Sequence, residues 1–451
     1  MKVNFVKTFL FLFIFYGVLA QNVENPYLPQ DMDSLRIYLK KINTDLISSI
    51  EGDFSSRISK VFKNRDEKII EMVEDSAFIF NYEIKNKLNN VLDHIYITNP
   101  EINSTNYYFF INNSMLPNAA CYGDGMFQIN LGLFTKLDSD DELAFVICHE
   151  IAHKLLEHPL KGVTKNVSVL NSKETKSKIK EIKKNKYGQY RATLSVIDEM
   201  LINILDHSKE VEAEADSLGF ILFSKTKYEK VKALTALENL KRVDEMVFHY
   251  DVKIDSVFNL NNYPFKPYWL KKSKSLFDTD TPINDFELVS DTLKTHPEIT
   301  YRVAKLAKEH KINREVEINS ESKEYLNIIK NIAFMASIDY AYDKKFLDLV
   351  LYMLIERFNK HQINNEYYYP KMAVTLRRLY NIKKSHEIGK YVLPDNSLSD
   401  EKQLNTIRLF LHNLEFNEIK KMGLAFCEMH EKKVNSKEFE TVKSFFEKIN
   451  Q

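Results

Sequence analysis

The sequence predicts an α+β fold that is mainly α, and three observations predict it. Apolar residues recur at three and four spacing in long stretches before and after the middle of the 451-residue chain, the period of helices that bury one face. Between Ile95 and Leu133, "HIYITNP", "YYFFINN" and "GMFQINLGLF" are instead rich in aromatic and β-branched residues and punctuated by Asn, Pro and Gly, the pattern of strands joined by turns. Hydrophobic residues make up 44% and aromatics 12%, enough to bury a sizeable core and too much for disorder over most of the chain. The length exceeds what a single core usually supports, which implies one principal domain with helical additions.

Charge and cysteine content narrow the function classes. With 63 basic and 63 acidic side chains the formal charge is zero, so no net field draws the chain to nucleic acid or to an anionic membrane. Cys121, Cys148 and Cys427 are too few for a disulfide-built scaffold. A Cys121 to Cys148 bridge could form in an oxidising compartment, but unpaired buried thiols are the expected state.

The elements follow in chain order. Lys2 and Lys7, the apolar run Phe9 to Phe15 and the small residues up to Ala20 have the layout of a secretory signal peptide cleaved after Ala20. The apolar segment is shorter than the roughly 20 residues a bilayer span needs, and no later stretch is long and apolar enough to be a membrane helix. From Asp31 to about Asn90 the spacing of Leu35, Leu39, Ile42 and Leu46 predicts helices that serve packing. Strands then fill Ile95 to Leu133. Asp138, Ser139 and Asp140 offer N-caps to the helix "ELAFVICHEIAHKLLEH", expected to end at Pro159. Residues 161 to 190 are lysine-rich and predict a solvated helix or lobe. A second helix runs from about Thr193 through "SKEVEAEADSLGFILF", and after Lys323 amphipathic segments predict stacked helical hairpins.

The chemistry concentrates in "CHEIAHKLLEHP", residues 148 to 159. On a helix, His149 and His153 lie one turn apart on the same face, so both imidazoles can meet one metal ion. Glu150 sits about 100° round from His149, beside the metal, where it can take a proton from water. That is the arrangement that metal-assisted hydrolysis needs. The helix is apolar from Leu143 to Ile147 and again at Ile151, Ala152, Leu155 and Leu156, and ionisable groups buried there would be costly without a metal or partners. Cys148 points about 100° away from His149 and is not placed as its nucleophile. A catalytic zinc takes three protein ligands. The third is sought in "EVEAEADSLG", where Glu212 and Asp216 share one face and Glu210 and Glu214 another, among alanines that permit close helix approach.

HExxH, followed about 60 residues later by ExxAD on a second helix, with "PNAACYGDGMFQINLGLF" upstream and "THPEITYR" downstream, resembles the zinc metallopeptidases of family M48. The resemblance covers roughly residues 90 to 310. It implies a zincin-type catalytic domain with a small β-sheet and one Zn2+ per chain, held by His149, His153 and Glu212. It further implies Glu150 as general base, Asp216 as the carboxylate that orients a ligand histidine, and His296 and Arg302 as the matches to the THP…R segment, with His296 a catalytic residue near the metal that donates to the oxyanion or occupies the open position when the site is closed. His158 matches a histidine often found just after the HExxH helix. By the same resemblance an edge strand pairs with extended substrate, and Gly125, Met126, Phe127, Gln128, Ile129 and Asn130 are the candidate for it.

The expected organisation is a signal peptide over 1–20, an N-terminal helical segment over 21–90, a zinc metallopeptidase domain over 91–310 and a C-terminal helical domain over 311–451. The expected function is an exported, periplasmic or envelope endopeptidase acting on extended or misfolded polypeptide, with Glu150 as base. A protein partner is expected at the C-terminal helices, and no nucleic acid. The alternative is a mostly closed, chaperone-like assembly factor of the same fold.

Overall fold

A computed structural model describes residues 31–74, 78–102, 107–114, 117–184, 209–241, 248–272, 299–313, 323–395 and 401–451. The expected signal segment and His296 lie outside the described residues.

Two helices, α1 (Met32–Ser49) and α2 (Ser55–Glu74), precede a four-stranded sheet made of β1 (Phe78–Ile79), β2 (Tyr108–Asn112), β3 (Ala119–Cys121) and β4 (Met126–Asn130). The strand order is β1-β2-β4-β3. β2 and β4 run parallel, with Phe109 beside Phe127 and Ile111 beside Ile129, and β3 pairs antiparallel with β4. All of β2 is buried, because the sheet has a helical layer on each face. Tyr108, Phe110 and Met126 turn towards Leu35, Leu39 and Ile42 of α1 and Ile69 of α2. The alternate residues Phe109, Ile111, Phe127 and Ile129 turn the other way, as a period of two requires. There they meet α3 (Tyr82–Thr98) and α5 (Asp140–Leu155), the helix that carries HExxH.

Three elements differ from the sequence expectation. "HIYITNP" is the end of α3, not a strand. Asn81 caps that helix by accepting from the N–H groups of Glu83 and Ile84, and the stripe Ile84, Leu88, Val91, Leu92, Ile95 is continuous, so helical burial outweighs the strand preference of the last turn. "LGLF" forms the one-turn helix α4 (Leu131–Phe134) beyond β4. Pro159 does not end the HExxH helix. The chain turns at Leu156 and Glu157, the latter left-handed at φ 57°, and Pro159 sits in the first turn of α6 (His158–Asn171), where a missing N–H costs nothing. α6 lies against the N-terminal pair through Val167, which meets Leu46, Ile58 and Phe62. The lysine-rich α7 (Lys173–Lys184) follows.

A helical stretch over 209–224, here α8, and α9 (Lys232–Lys241) complete the core around α5 together with α11 (Ile299–Glu309). α10 (Ile254–Val257) is a single turn. The C-terminal helices are α12 (Lys323–Asp343), α13 (Leu347–Asn359), α14 (Asn365–Lys384), α15 (Lys402–Asn413), α16 (Phe416–His430) and α17 (Lys437–Asn450); short loops join α12 to α13, α13 to α14, α15 to α16 and α16 to α17, as expected of stacked hairpins. A buried Arg408 on α15 holds Asp348 of α13 at 2.9 Å. Two large hydrophobic cores run through the described residues. All of α3 belongs to the sheet core, whereas Val252, Ile254, Phe258, Leu260 and Trp269 pack with Phe410 and the C-terminal helices. Ile329 and Ala333 of α12 return to the sheet core, so that helix joins the two. All three cysteines are unpaired, Cys148 and Cys427 fully buried.

Candidate metal centre

α5 starts where Ser139 accepts from the Glu142 N–H, with Asp140, Asp141 and Glu142 in the first turn complementing the helix dipole. Its apolar residues face the sheet and α9, which turns His149 towards α8 and leaves both His149 and Glu150 buried. The third partner comes from α8. Gly219 is what lets α8 approach: a Cβ there would lie 2.9 Å from His149 Cα and 3.0 Å from its N. Ala213 and Ala215 are also buried on this helix. Gly219→Ala is expected to force the two helices apart, lowering stability by about 1–3 kcal/mol and weakening metal binding. Thermal melts with and without zinc check both effects, and an unchanged melt would show that the contact yields.

The donors converge. His149 Nε2 and His153 Nε2 are 3.0 Å apart, and the two Glu212 carboxylate oxygens lie 3.5 Å from them, Oε2 from His149 and Oε1 from His153. A tetrahedral zinc at about 2.0–2.1 Å from nitrogen and oxygen donors sets those donors roughly 3.3 Å apart. The set of two imidazoles and a carboxylate, with its spacing, therefore fits Zn2+. Among the described residues this is the one group of three or more His, Cys, Asp and Glu donors that could hold a metal ion.

Around these donors the charges are tightly arranged. Asp216 Oδ1 lies 3.0 Å from His149 Nδ1. Arg302 grips Asp216 with two hydrogen bonds of 2.7 Å, from Nε and Nη2, and reaches Glu212 Oε2 at 2.8 Å with Nη1. Burial alone would push the Asp216 carboxyl up, but the Arg302 guanidinium and His149 outweigh it and hold it at about 2. Burial would likewise depress His149, yet Asp216 and Glu212 lift it to about 10 in the absence of a metal. His158 is held below its ordinary value by burial, against the opposing pull of Glu214.

Glu150 borders a small cavity together with Asn118, Ala119, Phe145, His149 and Arg302. Its volume, about 20 Å³, gives room for one water. The neighbouring strand is β3, which corrects the expectation for Gly125, Met126, Phe127, Gln128, Ile129 and Asn130. Gly125 C=O accepts from Tyr108 N–H, and β4 is paired with β2 on one side and β3 on the other, so its backbone groups are already used. The sheet edge at the site is β3. Asn118 C=O and Tyr122 N–H bond to β4, so by antiparallel alternation the backbone groups of Ala119 and Cys121 point outward. The turn after β3 is fixed from two sides: Arg65 of α2 pairs with Asp124 and the Tyr122 carbonyl, and Lys154 of α5 donates to Gly123 O at 2.8 Å.

Thus the structure brings together His149, Glu150, His153, Glu212, Asp216 and Arg302. Sequence reasoning missed the direct contact of Arg302 with Glu212, the role of Gly219 and the position of β3. The Gly in "DSLGF", three residues after Asp216, was the available signal for the second of these.

Comparison with known proteins agrees with this geometry. The model of Peptidase family M48 matches residues 81–310. Over 133 residues the chain is 26% identical to a protein named mitochondrial metalloendopeptidase OMA1 from Arabidopsis thaliana, which covers 29% of this chain and 25% of that relative. The chain thus spans about a quarter of the length of the curated relative it matches.

Proposed function

This chain belongs to peptidase family M48, and from that premise we propose that it is a zinc-dependent endopeptidase that hydrolyses extended or misfolded polypeptide. The observation that carries the reading is the convergence of His149, His153 and Glu212 at donor spacings of 3.0 and 3.5 Å, with Glu150 beside them at a water-sized cavity. These three residues would hold a zinc ion, which would supply Lewis acidity and ease deprotonation of water. Glu150 accepts the proton of the attacking water and delivers it to the departing amine. Asp216 and Arg302 fix the His149 ring and the Glu212 carboxylate, so neither has to reorganise during the reaction. An extended substrate adds to the outer side of β3, its backbone pairing with Ala119 and Cys121, which brings a peptide carbonyl over Glu150.

The test is zinc content and hydrolysis of an unfolded protein measured on one purified sample. One zinc per chain is expected, with turnover abolished by a chelator and restored by zinc. Zinc without turnover would move the reading to a closed, chaperone-like assembly factor, and no zinc would sink both. Export to a bacterial periplasm or envelope is part of the same proposal, supported by the basic and then apolar start up to Ala20. N-terminal sequencing of the protein recovered from cells is expected to begin at Gln21. Among the described residues no helix is long and apolar enough to cross a membrane.

A further inference from the structure

The two candidate ligand histidines are supported in different ways. His149 has a buried carboxylate, Asp216, directly behind its Nδ1. Behind His153 stands a second histidine: His153 Nδ1 and His158 Nδ1 are 3.0 Å apart. The other nitrogen of that ring, His158 Nε2, lies 3.2 Å from Glu214 Oε2. His158 is the first residue of α6, directed inward by the left-handed Glu157, with its side chain 6% exposed. Glu214 is two residues beyond Glu212 on α8, and its side chain is 64% exposed.

One arrangement of protons satisfies these contacts together. If His153 Nε2 offers its lone pair to the metal, its Nδ1 carries the proton and donates to His158 Nδ1. His158 must then carry its own proton on Nε2, and that donates to the Glu214 carboxylate. Resting on the metal-site reading above, we propose that His158 and Glu214 are a positioning pair that fixes the tautomer and ring orientation of His153 for zinc. They replace, through one intervening imidazole, the carboxylate that stands directly behind His149. Histidine ligands commonly need such a partner, and its loss typically weakens metal binding by about 10–100-fold.

The two residues therefore act in series, and that predicts a pattern no packing role would produce. In the full chain, His158→Ala is expected to raise the zinc dissociation constant by about 10–100-fold, measured by competition with a chelator. The visible spectrum of the cobalt-substituted protein should change with it, and the melting temperature of the zinc-free protein should not. His158→Asn, whose Oδ1 can still accept from His153 Nδ1, should recover part of the affinity. Glu214→Ala at its exposed position should weaken zinc in the parent but add nothing in the His158→Ala background. Unchanged zinc affinity and cobalt spectrum in His158→Ala would overturn the proposal, as would an equal effect of Glu214→Ala in both backgrounds. A lowered zinc-free melting temperature with parental affinity would reduce His158 to a packing residue and overturn it too. A parent that binds no zinc, or a His153→Ala variant that binds as the parent does, would overturn the metal-site reading along with it. Zinc bound by the parent and lost in His153→Ala keeps the two failures apart.

Discussion

Replacing Glu150 by Gln is expected to leave one zinc per chain and to lower turnover of an unfolded protein by about 10²–10⁴-fold, the usual contribution of a positioned general base. Gln keeps the shape of the side chain, so the buried position beside His149 and Arg302 stays filled. It removes only the capacity to take a proton. Zinc content should be unaffected because the candidate donors are His149, His153 and Glu212, and Glu150 is turned about 100° from His149 on the helix. The discriminating comparison is with His153→Ala, which should lose zinc and turnover together and also the stability that the ion confers on the fold. Full activity in Glu150→Gln would show that another group accepts the proton. Loss of zinc in that variant would show that Glu150 itself helps to hold the ion.

The candidate metal centre, as a cluster of His149, Glu150 and His153, was legible because helical geometry is local. Residues 149, 150 and 153 have fixed relative directions on any α-helix, and the burial of α5 follows from its apolar neighbours. The partnership of Glu212 with Asp216 was legible for the same reason. What escaped was non-local. Whether β4 or β3 lies at the edge depends on strand order, and the parallel pairing of β2 with β4 is a long-range choice that no local pattern states. The helical end of α3 depends on the Asn81 cap thirteen residues upstream of His94, which outweighs the aromatic and β-branched letters at its end. Likewise the packing of residues 248–272 onto the C-terminal helices reflects where Trp269 and Phe258 find Phe410, and composition is silent on that.

Arg302→Met is expected to destabilise the zinc-free protein by about 3–5 kcal/mol, the typical cost of removing one partner of a buried charge pair. Arg302 is 2% exposed and is bonded to two carboxylates at once, Asp216 through a two-pronged contact and Glu212 through Nη1. Met fills the space of the stem but leaves both acids without their cation. Because burial is the largest influence on Asp216 and the Arg302 contributions that oppose it are gone, its carboxyl should then rise from about 2, with His149 alone still holding it down. The sign of the pH effect follows. In the parent, the depressed Asp216 contributes stability that is present above about 3.8 and is lost as pH falls towards 2. In the variant, the raised carboxyl contributes less of that stability at neutral pH, whereas in acid, where the group is protonated in both proteins, the difference narrows. The difference in melting temperature between parent and variant should therefore be larger at pH 7 than at pH 4. Lys at 302 should restore little, since it lacks the fork that engages Asp216 and Glu212 together. A loss equal at both pH values would assign Arg302 to packing, and a parental melt in Arg302→Met would mean that the His149 charge alone balances the two acids.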